Sequence, residues 1–136
     1  MARIVVIDDD LDLCGYVTHH LELDGHTALF ARDGFEGIEL IEEHRPDLII
    51  LDVMMPGLDG VQICKRLKNH HEISRIPVIF LSAKSGAASR LRGINSGGQA
   101  YVTKPFNMSD LTAKIDTVLA HSQPGTSPSP TPSRPQ

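Results

Sequence analysis

Five short apolar runs, widely and fairly evenly spaced, set the tightest limit on how this chain can fold. They are Ile4–Ile7, Ala28–Phe30, Leu48–Leu51, Val78–Leu81 and Tyr101–Val102. Several lack the apolar–polar alternation of a strand with one wet face, which fits strands covered on both sides in a parallel sheet. The intervening segments carry helical spacing instead. Leu13, Tyr16, Val17 and Leu21 make one stripe, Phe35, Ile38 and Ile41 a second, and Val61, Cys64 and Leu67 a third. Leu91 with Ile94, and then Leu111, Ile115, Val118 and Leu119, supply two more. Gly25, Gly34 and Gly97-Gly98 punctuate the junctions, and Pro46, Pro77 and Pro105 stand where a helix could not continue. The order is strand–helix five times over. Right-handed crossovers then predict an α/β domain, a parallel sheet with helices on both faces.

In such a sheet ligands bind beyond the carboxyl ends of the strands, so the residues that follow each apolar run are the ones to read. The first run ends in Asp8-Asp9-Asp10, the third in Asp52, the fourth in Ser82 and the fifth leads to Lys104. Taken singly, each has a bland explanation: an aspartate after a strand is most often a helix N-cap, and Asp10 fits that role. Taken together at one edge of a sheet, they describe a site. Clustered carboxylates repel one another and need a hard cation to coexist, and Mg²⁺ suits oxygen ligands and keeps waters that a phosphate can displace. A carboxylate is a weak nucleophile that needs a reactive phosphoryl donor and charge neutralisation. The Lys104 ammonium and the Ser82 hydroxyl are of the right kind to meet phosphoryl oxygens.

The chain resembles the receiver domains of two-component response regulators, the family of the chemotaxis regulators. The resemblance covers residues 3 to about 120 and rests on four motifs in order: Ile-Val-Val-Ile-Asp-Asp-Asp (4–10), Leu-Asp-Val-Met-Met-Pro-Gly-Leu-Asp-Gly (51–60), Ile-Phe-Leu-Ser-Ala (79–83) and Tyr-Val-Thr-Lys-Pro-Phe (101–106). It implies a flavodoxin-like, doubly wound five-stranded sheet of order 2-1-3-4-5 with five helices. It implies that Asp52 is the phosphoacceptor, that Asp9 ligates Mg²⁺ directly and Asp8 mainly through water, and that the Met54 backbone carbonyl supplies a further ligand. Lys104 would pair with the phosphoryl group, and the peptide to Pro105 is expected to be cis. Ser82 is the implied switch hydroxyl and Tyr101 the switch aromatic, the ring turning inward once Ser82 moves to the phosphoryl group. The implied donor is the phosphohistidine of a histidine kinase or phosphotransfer protein, and the implied output is a downstream protein or a fused output domain. Two features depart from the transcription-factor receivers: Gln99-Ala100 replaces the acidic pair before the switch aromatic, and Asn69–Arg75 looks inserted before the fourth strand.

Rival readings are weaker. Asp8-Asp9-Asp10 contains the DxD of haloacid-dehalogenase phosphatases, but only Asp110 and Asp116 follow Lys104, both in the last helical segment, and there is no cap insertion. A flavodoxin-type electron carrier would need its phosphate loop where the aspartates stand. His19-His20 and His70-His71 suggest a metal site, yet adjacent helical residues point about 100° apart and neither pair has an i,i+4 histidine. The net charge of −4 argues against direct nucleic-acid binding by this domain. No membrane span and no leader are expected, which suggests the cytoplasm. Cys14 and Cys64, without CxxC spacing, are expected to remain unpaired. The expected division is a receiver domain over 1–121 and a disordered Pro/Ser-rich tail or linker over 122–136.

Overall fold

Strands and helices alternate in a computed structural model that describes residues 1–84 and 86–122. In chain order they are β1 (Arg3–Ile7), α1 (Leu11–Leu23), β2 (Thr27–Ala31), α2 (Gly34–His44), β3 (Leu48–Leu51), α3 (Gly60–Lys68), β4 (Val78–Ser82), α4 (Ala87–Asn95), β5 (Ala100–Thr103) and α5 (Met108–Ser122). All pairings are parallel and the order is β2-β1-β3-β4-β5, as the resemblance implied. The Pro/Ser-rich segment 123–136 lies outside the described residues.

Alternate strand residues divide the core in two. Val5, Ile7, Ile49, Leu51 and Phe80 pack with Ile41 of α2 and with Val61, Ile63, Cys64 and Leu67 of α3. Ile4, Val6, Leu48, Ile50, Ile79 and Leu81 pack with Cys14, Val17 and Leu21 of α1 and with Leu111 and Ile115 of α5. Both faces of β1, β3 and β4 are therefore buried, which is why those runs are continuously apolar. Each fully buried branched side chain contributes about 1.5–3 kcal/mol relative to exposure. The first three helices begin on aspartates: the carboxylates of Asp10, Asp33 and Asp59 accept from the amides of Leu13, Glu36 and Gln62. Each such cap is worth about 1 kcal/mol.

One expected apolar stripe, that of α4, is not what holds its helix, and that of α2 holds only in part, because Ile41 is buried and Ile38 packs against the core while Phe35 does not. Phe35, Leu91 and Ile94 are exposed, as is Tyr16 on α1. Glycine completes the contact face of α2, where Gly34 and Gly37 lie beside Ile41, and makes that of α4, where Gly93 is the buried residue. A Cβ at Gly37 would drive into Ile7, and one at Gly93 would stand 3.0 Å from the rings of both Phe80 and Tyr101. Spacing rules look for large apolar residues and overlook a helix that sits close because its contact residues have no side chain.

Candidate functional site

Register brings the strand-end residues together. Ile7 lies level with Leu51 and Ala31, and the backbone continues in step beyond them. The Asp52 amide donates to the Ile7 carbonyl at 3.0 Å, and the Asp8 amide donates to the Ala31 carbonyl at 3.1 Å. On the other side Ser82 is level with Thr103, and the Lys104 amide donates to the Ser82 carbonyl at 2.8 Å. Four loops thus open at one sheet edge.

Carboxylate oxygens of Asp8, Asp9 and Asp52 lie within 4.8 Å of one another. Asp8 and Asp52 are buried, whereas Asp9 is exposed. Lys104 Nζ reaches across the cluster, 2.8 Å from Asp8 Oδ2 and 3.5 Å from Asp52 Oδ2. The other Asp52 oxygen accepts from the Met54 amide at 3.1 Å. Burial, then the negative charge of Asp8, push the Asp52 carboxyl from an ordinary 3.8 up to about 6, although the Met54 amide and Lys104 pull the other way. Burial works against the Lys104 ammonium, but the hydrogen bond to Asp8 and the charges of Asp52 and Asp8 outweigh it and raise its pKa. One ammonium facing three carboxylates leaves excess negative charge, and every side-chain donor is a hard oxygen. Such a cluster could hold a metal ion, and its chemistry suits Mg²⁺ or Ca²⁺ better than a thiophilic metal.

The other expected residues fall around this cluster. Ser82 is fully buried, and its Oγ accepts from the Lys84 amide at 3.2 Å. The Met54 side chain is half exposed and shares a groove of about 330 Å³ with Lys84, Asp59 and Arg92. The Lys104–Pro105 peptide is cis, as anticipated. Asp10 is turned away as the cap of α1. Tyr101 departs from expectation: it already lies inward, 4% exposed, with its hydroxyl donating to the Lys84 carbonyl at 2.8 Å. The Arg90 guanidinium stands 5.7 Å over its ring, and Phe80 lies beside it. An unhindered tyrosine next to a small hydroxyl residue has both orientations open to it. Here the space left by Gly93 and the acceptor on Lys84 favour the inward one.

Two supporting residues escaped the sequence reading. Gly60 packs so closely beneath β3 that a Cβ there would collide with the Asp52 carbonyl. Cys14 donates to the Asp8 carbonyl at 3.3 Å, its thiol pushed up to about 12 by burial and the nearby aspartates. The Asp59-Gly60 pair at a helix start was the available signal for the first. Nothing local marked the second.

A five-stranded sheet of this order with an acidic cluster and a lysine at its carboxyl edge defines a class of signalling domain, and comparison with known proteins agrees. The response regulator receiver domain family matches residues 4–116, so the chain belongs to that family and is a receiver domain of the two-component type. It is 34% identical over 127 residues to the response regulator MprA of Mycobacterium sp. (strain KMS), covering 93% of this chain and 54% of that protein. It is 37% identical over 119 residues to the DNA-binding dual master transcriptional regulator RpaA of Synechocystis, covering 88% and 49%. The chain spans about half the length of these relatives. Among solved structures, the Francisella response regulator 1452 receiver domain superposes with a TM-score of 0.84 at 32% identity, covering 90% of this chain and 100% of that one. The Vibrio cholerae chemotaxis protein CheY4 gives 0.83 at 27%, covering 87% and 98%. No helix among the described residues is long and apolar enough to cross a membrane.

Proposed function

We propose that this domain accepts a phosphoryl group on Asp52 from the phosphohistidine of a histidine kinase or phosphotransfer protein, in the cytoplasm, and signals to a downstream protein or fused output domain. The observation that carries this is the convergence of Asp8, Asp9 and Asp52 under a single lysine. In the transfer a carboxylate oxygen of Asp52 bonds to phosphorus, the phosphorus–nitrogen bond breaks, and its electron pair stays on the donor imidazole. Mg²⁺, held by Asp8, Asp9, Asp52 and the Met54 carbonyl, would supply neutralisation of the carboxylates and of the phosphoryl oxygens. Lys104 is long enough to exchange part of its contact with Asp8 for a phosphoryl oxygen, so the charge it now spends on carboxylates is available to the product. The Ser82 hydroxyl, whose present contact is the Lys84 amide, would turn to a phosphoryl oxygen and release the segment that leads to α4. One charge-assisted hydrogen bond is worth about 1.5–3 kcal/mol, enough to shift a population without locking it.

Incubating the chain with a small-molecule phosphodonor and Mg²⁺ and reading intact mass tests this. One phosphoryl group should be added, Asp52→Ala should abolish it, Asp9→Ala should slow it, and Ser82→Ala should leave it in place. Labelling of Asp52→Ala to the wild-type extent would refute the assignment.

A further inference from the structure

The modest net charge hides a strong partition. Residues 8–47 hold twelve carboxylates against Arg32 and Arg45, while residues 60–99 hold seven lysines and arginines against Glu72 alone. Part of this division falls on one face, because α2, α3 and α4 lie side by side over the same side of the sheet and α2 carries four of those carboxylates.

The outer surfaces of the flanking helices are complementary in detail. On α2 the residues turned from the sheet are Phe35, 61% exposed, and Glu39 and Glu42, with Glu36 and Glu43 beside them. On α4 they are Ala87, Leu91 and Ile94, at i, i+4 and i+7, of which Leu91 is 60% exposed. Arg90 and Arg92 border that stripe on either side, and α4 contains no acidic residue. Lys65 and Arg66 of α3 are also exposed, whereas Lys68 is turned inward to the carbonyls of Ser74 and Ile76. The four glutamates of α2 therefore share one face with exposed Lys65, Arg66 and Arg92 and with Arg90, whose guanidinium reaches back over Tyr101. Neither Arg90, Arg92, Lys65 nor Arg66 forms an ion pair among the described residues.

We propose that this face is a self-complementary interface, on which a second copy of the chain sets its α2 against α4 and its α4 against α2. A twofold axis parallel to the helices is the operation that does this, since it exchanges the two edges of a three-helix layer while turning it over. Phe35 of each copy then meets the Leu91–Ile94 stripe of the other, and the glutamates on both sides of it meet Arg90 and Arg92. Lys65 and Arg66 approach their mates near the axis, a repulsion that the flanking glutamates offset. Exposed apolar residues inside a ring of opposite charges give an association that is specific and salt-dependent. The other candidate occupants, an acidic helix of a different protein or a polyanion, would satisfy the cations but leave Phe35 and the glutamates without a role.

Sedimentation velocity on the full chain between about 10 and 500 µM tests the proposal. The wild type should show a monomer–dimer equilibrium that weakens at least about tenfold when salt is raised from about 0.05 to 0.5 M. Glu39→Lys/Glu42→Lys and, separately, Arg92→Glu should each be monomeric with an unchanged circular dichroism melt, since all three side chains are exposed. Combining the three substitutions in one chain should restore the dimer, because the reversed charges again oppose one another. A wild type that stays monomeric throughout overturns the proposal, including one that instead binds a Glu-rich amphipathic peptide or single-stranded DNA. So does dimerisation of the single-face variants at wild-type strength. None of these outcomes depends on phosphorylation of Asp52.

Discussion

At the scale of single residues, the site is an electrostatic compromise that the fold maintains at a cost. Asp52 is ionised at neutral pH although burial and Asp8 raise its pKa to about 6. A carboxylate whose pKa is higher in the folded than in the unfolded chain binds more protons when folded, so the contribution of Asp52 to metal-free stability is greatest in acid and is lost as pH rises from about 4 through about 6. Asp52→Asn removes this cost. It should raise the metal-free thermal stability at about pH 8 by on the order of 1–3 kcal/mol and leave it nearly unchanged at about pH 4. Melts at the two pH values check this, and added Mg²⁺ should narrow the difference at high pH by stabilising the wild type. A second expectation concerns Met54 and Lys84, which line one groove beside the acceptor. Met54 has no group to orient an attacking water, and the Lys84 side chain is long enough to obstruct one. The acyl phosphate should therefore decay more slowly in the wild type than in Met54→Asn/Lys84→Glu, by about 1 kcal/mol in barrier or several-fold in rate. Phosphoryl loss followed by intact mass decides it, and equal rates would remove both residues from the account.

At the scale of elements, glycine does work that hydrophobic spacing did not reveal. Gly93 lets α4 settle against Phe80 and Tyr101, and Tyr101 holds the Lys84 carbonyl at the head of the same helix. Helix α4 is thereby tied in its last turn and near its start to a single side chain. In Gly93→Ala the gain in helix propensity, about 1 kcal/mol, competes with ring displacement of similar cost, so the stability change should be small. The position of Tyr101 should change clearly. Its ring should become solvent-accessible and its hydroxyl contact should be lost, measurable by tyrosine nitration or by NMR of the ring. A variant with Tyr101 as protected as in the wild type would show that the inward position does not depend on this gap. The helical periods of α1, α3 and α5 were legible because their contacts are large side chains. That of α2 was legible at Ile38 and Ile41 but not at Phe35, and that of α4 was misjudged because Leu91 and Ile94 point outward, to solvent.

At the scale of the molecule, the sheet separates two independent cores, and the cysteines illustrate it. Both are buried and free, Cys14 in the layer with α1 and α5 and Cys64 in the layer with α2 and α3. With the sheet between them they cannot pair without unfolding. Reducing agent should leave the melting curve unchanged, and non-reducing mass spectra should show two thiols. An intramolecular disulfide in folded protein would contradict the layer assignment. The same two-layer arrangement creates the acidic and basic halves of the α2–α3–α4 face, which no count of charges along the chain could locate.

The amino-acid sequence by itself determined the strand–helix alternation, the parallel sheet and the edge on which its polar residues gather. These follow from local periodicity and from the rule that side chains just past a parallel strand reach the carboxyl edge. It also marked Asp8, Asp9, Asp52, Ser82 and Lys104, because those residues follow apolar runs, while Tyr101 was named through the resemblance to receiver domains. Tertiary structure alone decided which of them touch. Lys104 reaches an aspartate 96 residues away, a contact set by strand order and register. The inward Tyr101, the glycine contacts of α2 and α4, and the opposition of charges across one face likewise depend on which helices lie side by side, and a helical period specifies a stripe without specifying what lies opposite it.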